Sequence, residues 1–154
     1  MFEVAVLVGL QASGKSTFYR QVLAATHVHV SKDDFPRARN RQRRQLRLVE
    51  EALLARRNVA VDNTNPSPEE WRPLVELARA HGARVVGYWF PPDVTGSLRR
   101  NAARSGRERV PEVGVYAVLG RLRRPHRADG FDELFSVHFD GYGGFEVRQS
   151  ADVD

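Results

Sequence analysis

The segment GLQASGKST, residues 9–17, contains the first residues in the chain that could do chemistry. It fits G-x-x-x-x-G-K-[ST] without a mismatch, a pattern typical of loops that bind the phosphates of a nucleotide. Its glycines permit a tight turn in which backbone N–H groups point at phosphate oxygens. Lys15 is expected to reach the β- and γ-phosphates, and the Ser16 hydroxyl to ligate Mg²⁺. We predict a nucleoside triphosphate site formed by Gly9, Gln11, Ala12, Ser13, Gly14, Lys15, Ser16 and Thr17.

A second polar cluster, SKDDF, contains Asp33 and Asp34. Transfer of a phosphoryl group to an alcohol needs a carboxylate that orients the attacking hydroxyl and accepts its proton. We predict that Asp33 is this general base and that it contacts the acceptor. The competing interpretation is a helix N-cap, a position where aspartate is common for local reasons.

A third cluster, DNTN, begins with Asp62. An aspartate directly after a buried strand often completes the Mg²⁺ shell in P-loop enzymes. We therefore predict Ser16 and Asp62 as metal ligands. Asp62, Asn63 and Asn65 are also candidate contacts to the acceptor, although turn chemistry is the better explanation for at least one of the asparagines.

Two further segments are rich in arginine. The first holds Arg100 and Arg104, which lie on one helical face because they are four residues apart. Mobile positive charge offsets the charge that spreads over a phosphoryl group during transfer. We predict a hinged lid over residues 93–110, with Arg100 and Arg104 catalytic and Arg104 also at the nucleotide; the alternative is a solvated helix face. The second segment has six arginines between positions 37 and 47, and here Arg37 is predicted to bind acceptor phosphates.

These clusters must be positioned by regular structure, and apolar strand-like segments alternate with helix-like segments along the chain. Strands are predicted at 2–9, 27–31, 58–65 with its turn, 83–90 and 134–140, and helices at 15–25, 36–57, 67–82, 94–104 and 111–124. This alternation predicts a three-layer α/β/α fold with a mostly parallel five-stranded sheet, in one domain over residues 1–154. The tail, 141–154, is expected to be frayed or to extend the sheet edge. Because each polar cluster follows a strand, all three should meet at the carboxyl rim of the sheet.

The composition is that of a soluble globular protein, with 42% hydrophobic and 28% charged residues among 154. The chain has 24 Lys and Arg against 19 Asp and Glu, and only two of the basic residues are lysines. Arginine suits bidentate phosphate contacts, although an arginine-rich composition alone is an equally good explanation. The absence of cysteine excludes disulfides and thiolate metal sites. We expect a cytoplasmic protein without a membrane span and without an obligate protein partner.

The ordered motifs GLQASGKST, HVHVSKDD, VDNTNP, RRNAAR and RVP resemble the kinase domain of polynucleotide 5′-hydroxyl kinases, and the likeness extends from Phe2 to about Phe139. The resemblance implies an adenylate-kinase-like P-loop kinase fold and transfer of the ATP γ-phosphate, with Mg²⁺, to 5′-OH ends of DNA or RNA during end repair. By position, it implies that Lys15 and Ser16 serve ATP and magnesium, that Asp33 is the general base, and that Arg100 and Arg104 are lid arginines. The family's substrate-side carboxylate or amide falls at Asp62 or Asn63.

One departure concerns the acceptor side, because some members have an arginine three residues after the general base. Here that position is Pro36, and Arg37 follows it. The alternative function is a small-molecule or nucleotide-sugar P-loop kinase, for which a closed pocket beside Asp33 is expected rather than an open basic channel. A regulatory nucleotide-binding module is a third class, and it needs no acceptor carboxylate. The choice between DNA and RNA, and between ATP and GTP, stays open.

Overall fold

A six-stranded sheet forms the centre of the protein in the computed structural model, which describes residues 2–150. The strands are β1 Glu3–Val8, β2 His27–Val30, β3 Asn58–Asp62, β4 Arg84–Trp89, β5 Glu133–Phe139 and β6 Phe145–Gln149. They are ordered β2-β3-β1-β4-β5-β6 across the sheet. The first five strands run parallel, and β6 pairs antiparallel with β5. The predicted parallel α/β architecture is confirmed.

Helices cover both faces of this sheet. They are α1 Lys15–Phe18, which continues as a π-helical segment Tyr19–Leu23, α2 Arg41–Leu54, α3 Pro68–Ala80, α4 Val94–Ala102 and α5 Glu112–Arg121. Alternate residues of β1 face opposite layers: Val6 packs in the cluster that holds Trp71 of α3, and Leu7 packs in the cluster that holds Phe18 of α1. Since β1 is central and buried on both faces, its run of apolar residues is the pattern expected for such a strand.

The structure corrects four details of the predicted elements. The sheet has six strands instead of five, because part of the predicted tail forms β6; residues 151–154 lie outside the described part of the chain. Helix α2 begins at Arg41 instead of residue 36, since Asn40 caps it by accepting a hydrogen bond from the Arg43 backbone N–H. Helix α5 ends at Arg121 instead of residue 124. In the predicted lid, helix α4 ends at Ala102 and a 3₁₀ turn follows at Gly106–Glu108.

The sheet order places β1 between β3 and β4, so the loop after β1 lies at the middle of the carboxyl rim. Ligands of open parallel sheets bind at this rim, beside the point where the connections change side. The loops after β2 and β3 border the same place. Within residues 2–150, none of the helices is both long enough and apolar enough to cross a lipid bilayer.

Candidate active site

The loop after β1 has the backbone geometry of an anion-binding turn. Ala12 has φ 56° and Gly14 has φ 96°, so both residues lie in the left-handed region. Alternation of left-handed and right-handed residues turns successive N–H groups towards one side, where they surround an anion. A side chain at Gly14 is also blocked sterically, because a Cβ there would lie 2.9 Å from the Phe139 ring. The pattern G-x-x-x-x-G-K-[ST] therefore forms the structure that the sequence predicts.

The Lys15 ammonium is buried inside this loop. Its Nζ donates to the Gly9 carbonyl at 3.0 Å, to the Leu10 carbonyl at 2.5 Å and to Ser13 Oγ at 3.3 Å. Burial lowers the pKa of Lys15 to about 8, against the opposing attraction of Asp62. The negative charge of a bound phosphate would favour the protonated form of Lys15 and raise its pKa again. The loop therefore places a buried ammonium where it can pair with an anionic ligand.

Ser16 and Asp62 meet as the sequence predicts. Ser16 Oγ donates to Asp62 Oδ2 at 2.8 Å, and His29 Nε2 lies 2.8 Å from the same oxygen. Burial acts to raise the pKa of Asp62, but the hydrogen bonds from His29 and Ser16 and the charge of Lys15 outweigh it and lower the pKa. The same bond to Asp62 raises the pKa of His29, against the effect of burial. A hydroxyl beside an ionised carboxylate is a hard oxygen donor set that fits Mg²⁺.

The two aspartates after β2 lie on a 3₁₀ turn, Lys32–Asp34, whose N-cap is Ser31. Neither aspartate is therefore the cap. The Asp33 side chain is 90% exposed and lies 3.8 Å from Arg41, and its charge acts on Lys15 to raise the lysine pKa. Asp34 Oδ2 lies 3.7 Å from His29 Nδ1. Asp33 is thus the aspartate that shares the electrostatic field of the phosphate loop.

Asn63 joins this turn to the rest of the protein. Its Oδ1 accepts from the Lys32 backbone N–H at 2.9 Å, and its Nδ2 donates to Gln45 Oε1 at 2.6 Å. Gln45 is only 1% exposed, so the contact anchors the turn to α2. The amide oxygen and the amide nitrogen of Asn63 therefore both have hydrogen-bond partners within the protein.

The geometry does not support the prediction that Asn65 contacts the acceptor. Its side chain is 3% exposed, and Nδ2 donates to the Leu7 carbonyl at 2.8 Å and to the Val61 carbonyl at 3.3 Å. Asn65 also has φ 44°, a left-handed value that asparagine tolerates better than most residues. The role of Asn65 in the turn explains its position, because its side-chain amide joins the end of β1 to the end of β3.

The predicted lid segment is in contact with the phosphate loop through Arg100. Its Nε donates to the Ala12 carbonyl at 2.6 Å, and its guanidinium lies 4.8 Å from the centre of the Phe139 ring. Arg104 bonds the Glu108 carbonyl at 3.4 Å, and its positive charge lowers the pKa of Lys15. Arg100 therefore contacts the phosphate loop directly, whereas Arg104 acts on Lys15 through its charge.

An open groove of about 680 Å³ begins beside Asp34. Its lining consists of Asp34, Phe35, Pro36, Arg37, Ala38, Arg44 and Arg107. The Arg44 guanidinium lies 5.4 Å from the centre of the Phe35 ring. The predicted acceptor residue Arg37 is one of three arginines in this lining, and Asp34 of the turn Lys32–Asp34 belongs to the same lining.

Sequence reasoning missed three residues that shape this site. His29 links Asp62 to Asp34 of the turn Lys32–Asp34, and its only sequence signal is the alternation of His27 and His29 on one face of β2. Gln45 is a polar residue at a core position of α2, a pattern that often marks a buried hydrogen bond. Phe139 reaches the phosphate loop through the pairing of distant strands and gives no local signal.

Comparisons with known proteins place this geometry in context. A family model described as AAA domain matches residues 4–128. A curated relative, the bifunctional polynucleotide phosphatase/kinase of Schizosaccharomyces pombe, is 24% identical over 141 residues. That alignment covers 89% of this chain but 34% of the relative, so the chain spans about a third of the relative's length.

Solved structures of two kinases share the fold. A sugar kinase from Janibacter sp. HTCC2649 is 15% identical with a TM-score of 0.65, over 88% of this chain and 86% of that one. A fungal RNA kinase is 14% identical with a TM-score of 0.64, over 90% of this chain and 75% of that one. At these identities the likeness shows the fold alone, and the two matches have acceptors of different kinds.

Proposed function

Because the chain belongs to the AAA domain family and has a P-loop kinase fold, we propose that it transfers the γ-phosphate of ATP to the 5′-hydroxyl end of a DNA or RNA strand. The observation that carries this proposal is the arginine-lined groove beside Asp34, which is open along the surface. A strand can leave such a groove with its phosphates among guanidinium groups, whereas a small sugar calls for an enclosing pocket. The relative in S. pombe, named as a polynucleotide phosphatase/kinase, supports the same acceptor class.

In this proposal the phosphate loop binds the donor and Asp33 activates the acceptor. Asp33 accepts the proton of the 5′-hydroxyl as its oxygen attacks the γ-phosphorus. The bond between that phosphorus and the β–γ bridging oxygen breaks, ADP leaves, and a 5′-phosphate forms. Lys15 and the N–H groups of the loop stabilise the charge on the transferred group. Because strand joining uses a 5′-phosphate, such a product suits a role in end repair.

Ser16 and Asp62 would hold Mg²⁺, which supplies charge neutralisation of the donor phosphates when it is bound. His29 keeps Asp62 ionised and oriented through its 2.8 Å contact. Arg100 and Arg104 bring the lid's positive charge to the loop. Arg100 is held there by its bond to the Ala12 carbonyl, so its guanidinium is placed before the substrates arrive.

The test incubates the protein with γ-labelled ATP, Mg²⁺ and 5′-hydroxyl DNA or RNA strands, with 5′-phosphorylated strands as the control. Label should appear on the 5′-hydroxyl strands alone. Failure of all such strands, with ATP still bound, would refute the proposal, and label transfer to a sugar alcohol in their place would support the small-molecule alternative. Transfer to no acceptor would favour a regulatory nucleotide-binding module.

The assignment of the general base is tested by the matched variants Asp33→Asn and Asp34→Asn. Both remove one exposed carboxylate from the same turn, but only Asp33 acts on Lys15 electrostatically. Asp33→Asn should lower kcat by roughly a hundredfold or more, while ATP affinity measured well below the Lys15 pKa of about 8 changes little, because the lysine stays protonated there. A smaller loss in Asp33→Asn than in Asp34→Asn would move the role of base to Asp34.

A further inference from the structure

Strand β6 lies at one end of the sheet order, so within the described residues 2–150 one of its edges has no neighbouring strand. The strand is held in place from inside the protein. The centre of the Phe145 ring lies 5.4 Å from that of Phe18 and 5.3 Å from that of Phe139. The four residues of β6 after Phe145 are all exposed, and among them Val147 is a large apolar side chain. A fixed, exposed edge of this kind offers its backbone groups to any strand that can align with it.

The backbone groups of β6 face β5 and the free edge in alternation. The Asp140 N–H donates to the Gly144 carbonyl at 3.1 Å, and the Ser150 N–H donates to the Leu134 carbonyl at 2.8 Å. Because antiparallel strands alternate between residues that exchange bonds and residues that do not, the even-numbered positions from 144 to 150 are those that bond β5. The odd-numbered positions therefore direct their N–H and C=O groups away from β5. These positions are Phe145, Val147 and Gln149.

A second copy of the same strand can pair antiparallel with this edge about a two-fold axis. Outward groups must lie opposite outward groups, so the registers that pair most of the strand have the axis at position 146, 147 or 148. An axis at Glu146 places two glutamates opposite each other, and an axis at Arg148 does the same for two arginines. With the axis at Val147, Glu146 of each copy lies opposite Arg148 of the other, at a position where the Cα atoms are about 4.5 Å apart. Since facing opposite charges stabilise a strand pair and facing like charges destabilise it, charge selects the axis at Val147.

The two charged side chains already lie together on one face of β6. Arg148 Nε donates to Glu146 Oε1 at 2.8 Å, and a terminal guanidinium nitrogen lies 2.7 Å from the same oxygen. The side chains are 65% exposed for Arg148 and 50% exposed for Glu146, so water screens this ion pair strongly in a single copy. In the pair of strands, each charge would lie between two opposite charges, one on its own strand and one on the second copy. Such a four-charge network stabilises more than an isolated surface ion pair.

We propose that the protein forms a reversible homodimer through β6, with the two strands antiparallel and the two-fold axis at Val147. About six backbone hydrogen bonds would join the copies, and the two sheets would continue into one another. Because five residues form a small contact, the dimer should be weak, with a Kd of roughly 10–100 µM. The inference goes beyond the proposed function, since Glu146, Val147 and Arg148 lie outside both proposed substrate sites.

Sedimentation velocity on the protein from about 1 µM to about 1 mM measures the dimer. Glu146→Arg and Arg148→Glu each place like charges opposite one another, so each variant alone should weaken the dimer by about tenfold or more. An equimolar mixture of the two variants should restore the dimer, because a strand with two positive charges then faces a strand with two negative charges. The double variant, which carries both changes, should dimerise like the wild type.

The matched control is Glu51→Arg, which makes the same change of charge at an exposed position of α2. Helix α2 contacts β2 and β3, at the opposite end of the sheet from β6, so this variant should dimerise like the wild type. Thermal melting checks that each variant is folded.

Three results would overturn the inference. A wild type that stays monomeric over the whole concentration range leaves no dimer to explain. A dimer that persists in both single variants must be held by another surface. Folded single variants whose mixture stays monomeric, together with a monomeric double variant, would exclude the register with its axis at Val147. Because the assay contains neither ATP nor a nucleic-acid strand, each of these results is independent of whether the proposed phosphoryl transfer occurs.

Discussion

Replacement of Asn63 by alanine distinguishes a structural role from a substrate contact. The side chain accepts from the Lys32 N–H at 2.9 Å and donates to Gln45 Oε1 at 2.6 Å. It thus holds the turn that carries Asp33 against helix α2. Alanine removes both bonds and leaves the Gln45 oxygen without its partner in a residue that is 1% exposed.

The expected cost follows from these two groups. An unsatisfied buried acceptor at Gln45 costs about 1–3 kcal/mol, and the half-buried Lys32 N–H, which water can partly reach, adds about 0.5–1.5 kcal/mol. Asn63→Ala should therefore lower the free energy of unfolding by about 1.5–4.5 kcal/mol. For a chain of this size that corresponds to a fall in Tm of about 3–18 °C. The loosened turn should also lower kcat, while ATP affinity stays near its wild-type value because the phosphate loop keeps its contacts.

Urea unfolding followed by fluorescence measures the stability, and calorimetry measures ATP binding. Asn63→Asp is the matched control: it keeps the acceptor for the Lys32 N–H, and the Gln45 amide can rotate to donate to the new carboxylate, so the loss should be smaller. The reasoning would be refuted if Asn63→Ala changed stability by less than about 0.5 kcal/mol and instead raised KM for the strand. That result would place Asn63 in contact with the acceptor.

Three further predictions concern the donor loop, the lid and the core. In EDTA, the affinity for ATP should fall by about tenfold per pH unit above pH 8, because Lys15 loses its proton near a pKa of about 8 and only the ammonium binds phosphate. Calorimetry at several pH values measures this. A pH-independent affinity, equal to that of Lys15→Gln, would contradict the prediction. Arg100→Lys keeps the charge but loses the guanidinium Nε donor, so kcat at saturating ATP should fall about tenfold or more, and an unchanged kcat would exclude that bond from catalysis. Gly130→Ala should lower Tm, because φ is 108° and a Cβ would lie 2.5 Å from Val75. Gly120 lies on α5 with open space around it, so Gly120→Ala should raise Tm slightly. Equal shifts in Tm for the two variants would refute the steric argument.

The sequence determined the local elements and the donor half of the site. The phosphate-loop pattern is contiguous, so its glycines, Lys15 and Ser16 specify both the turn and the start of α1 without help from distant residues. The alternation of strands and helices determined a parallel sheet, and the rule for its carboxyl edge brought Asp33 and Asp62 to the same rim as this loop.

Propensity failed where local signals are weak or compete. The glycine-rich tail after residue 140 left two outcomes open, a frayed end or an extension of the sheet edge, and β6 forms the second because β5 offers it an open edge with matching hydrogen-bond groups. Helix α2 starts later than its periodicity indicates, since Pro36 and the Asn40 cap shift the boundary. Pairing with a distant strand decides the fate of the tail, whereas a local cap, which the apolar periodicity does not record, decides where α2 begins.

Only the tertiary structure decided how residues of similar sequence divide their roles. Asn63 and Asn65 stand two positions apart in one polar motif, but Asn63 holds the turn Lys32–Asp34 while Asn65 is buried between β1 and β3. The many arginines cannot be told apart by sequence, but the fold brings Arg44 and Arg107, about sixty residues apart along the chain, into the lining of one groove. The physical reason is that burial, partners and electric field depend on which distant segments pack together, and a residue's type and spacing carry no record of those neighbours.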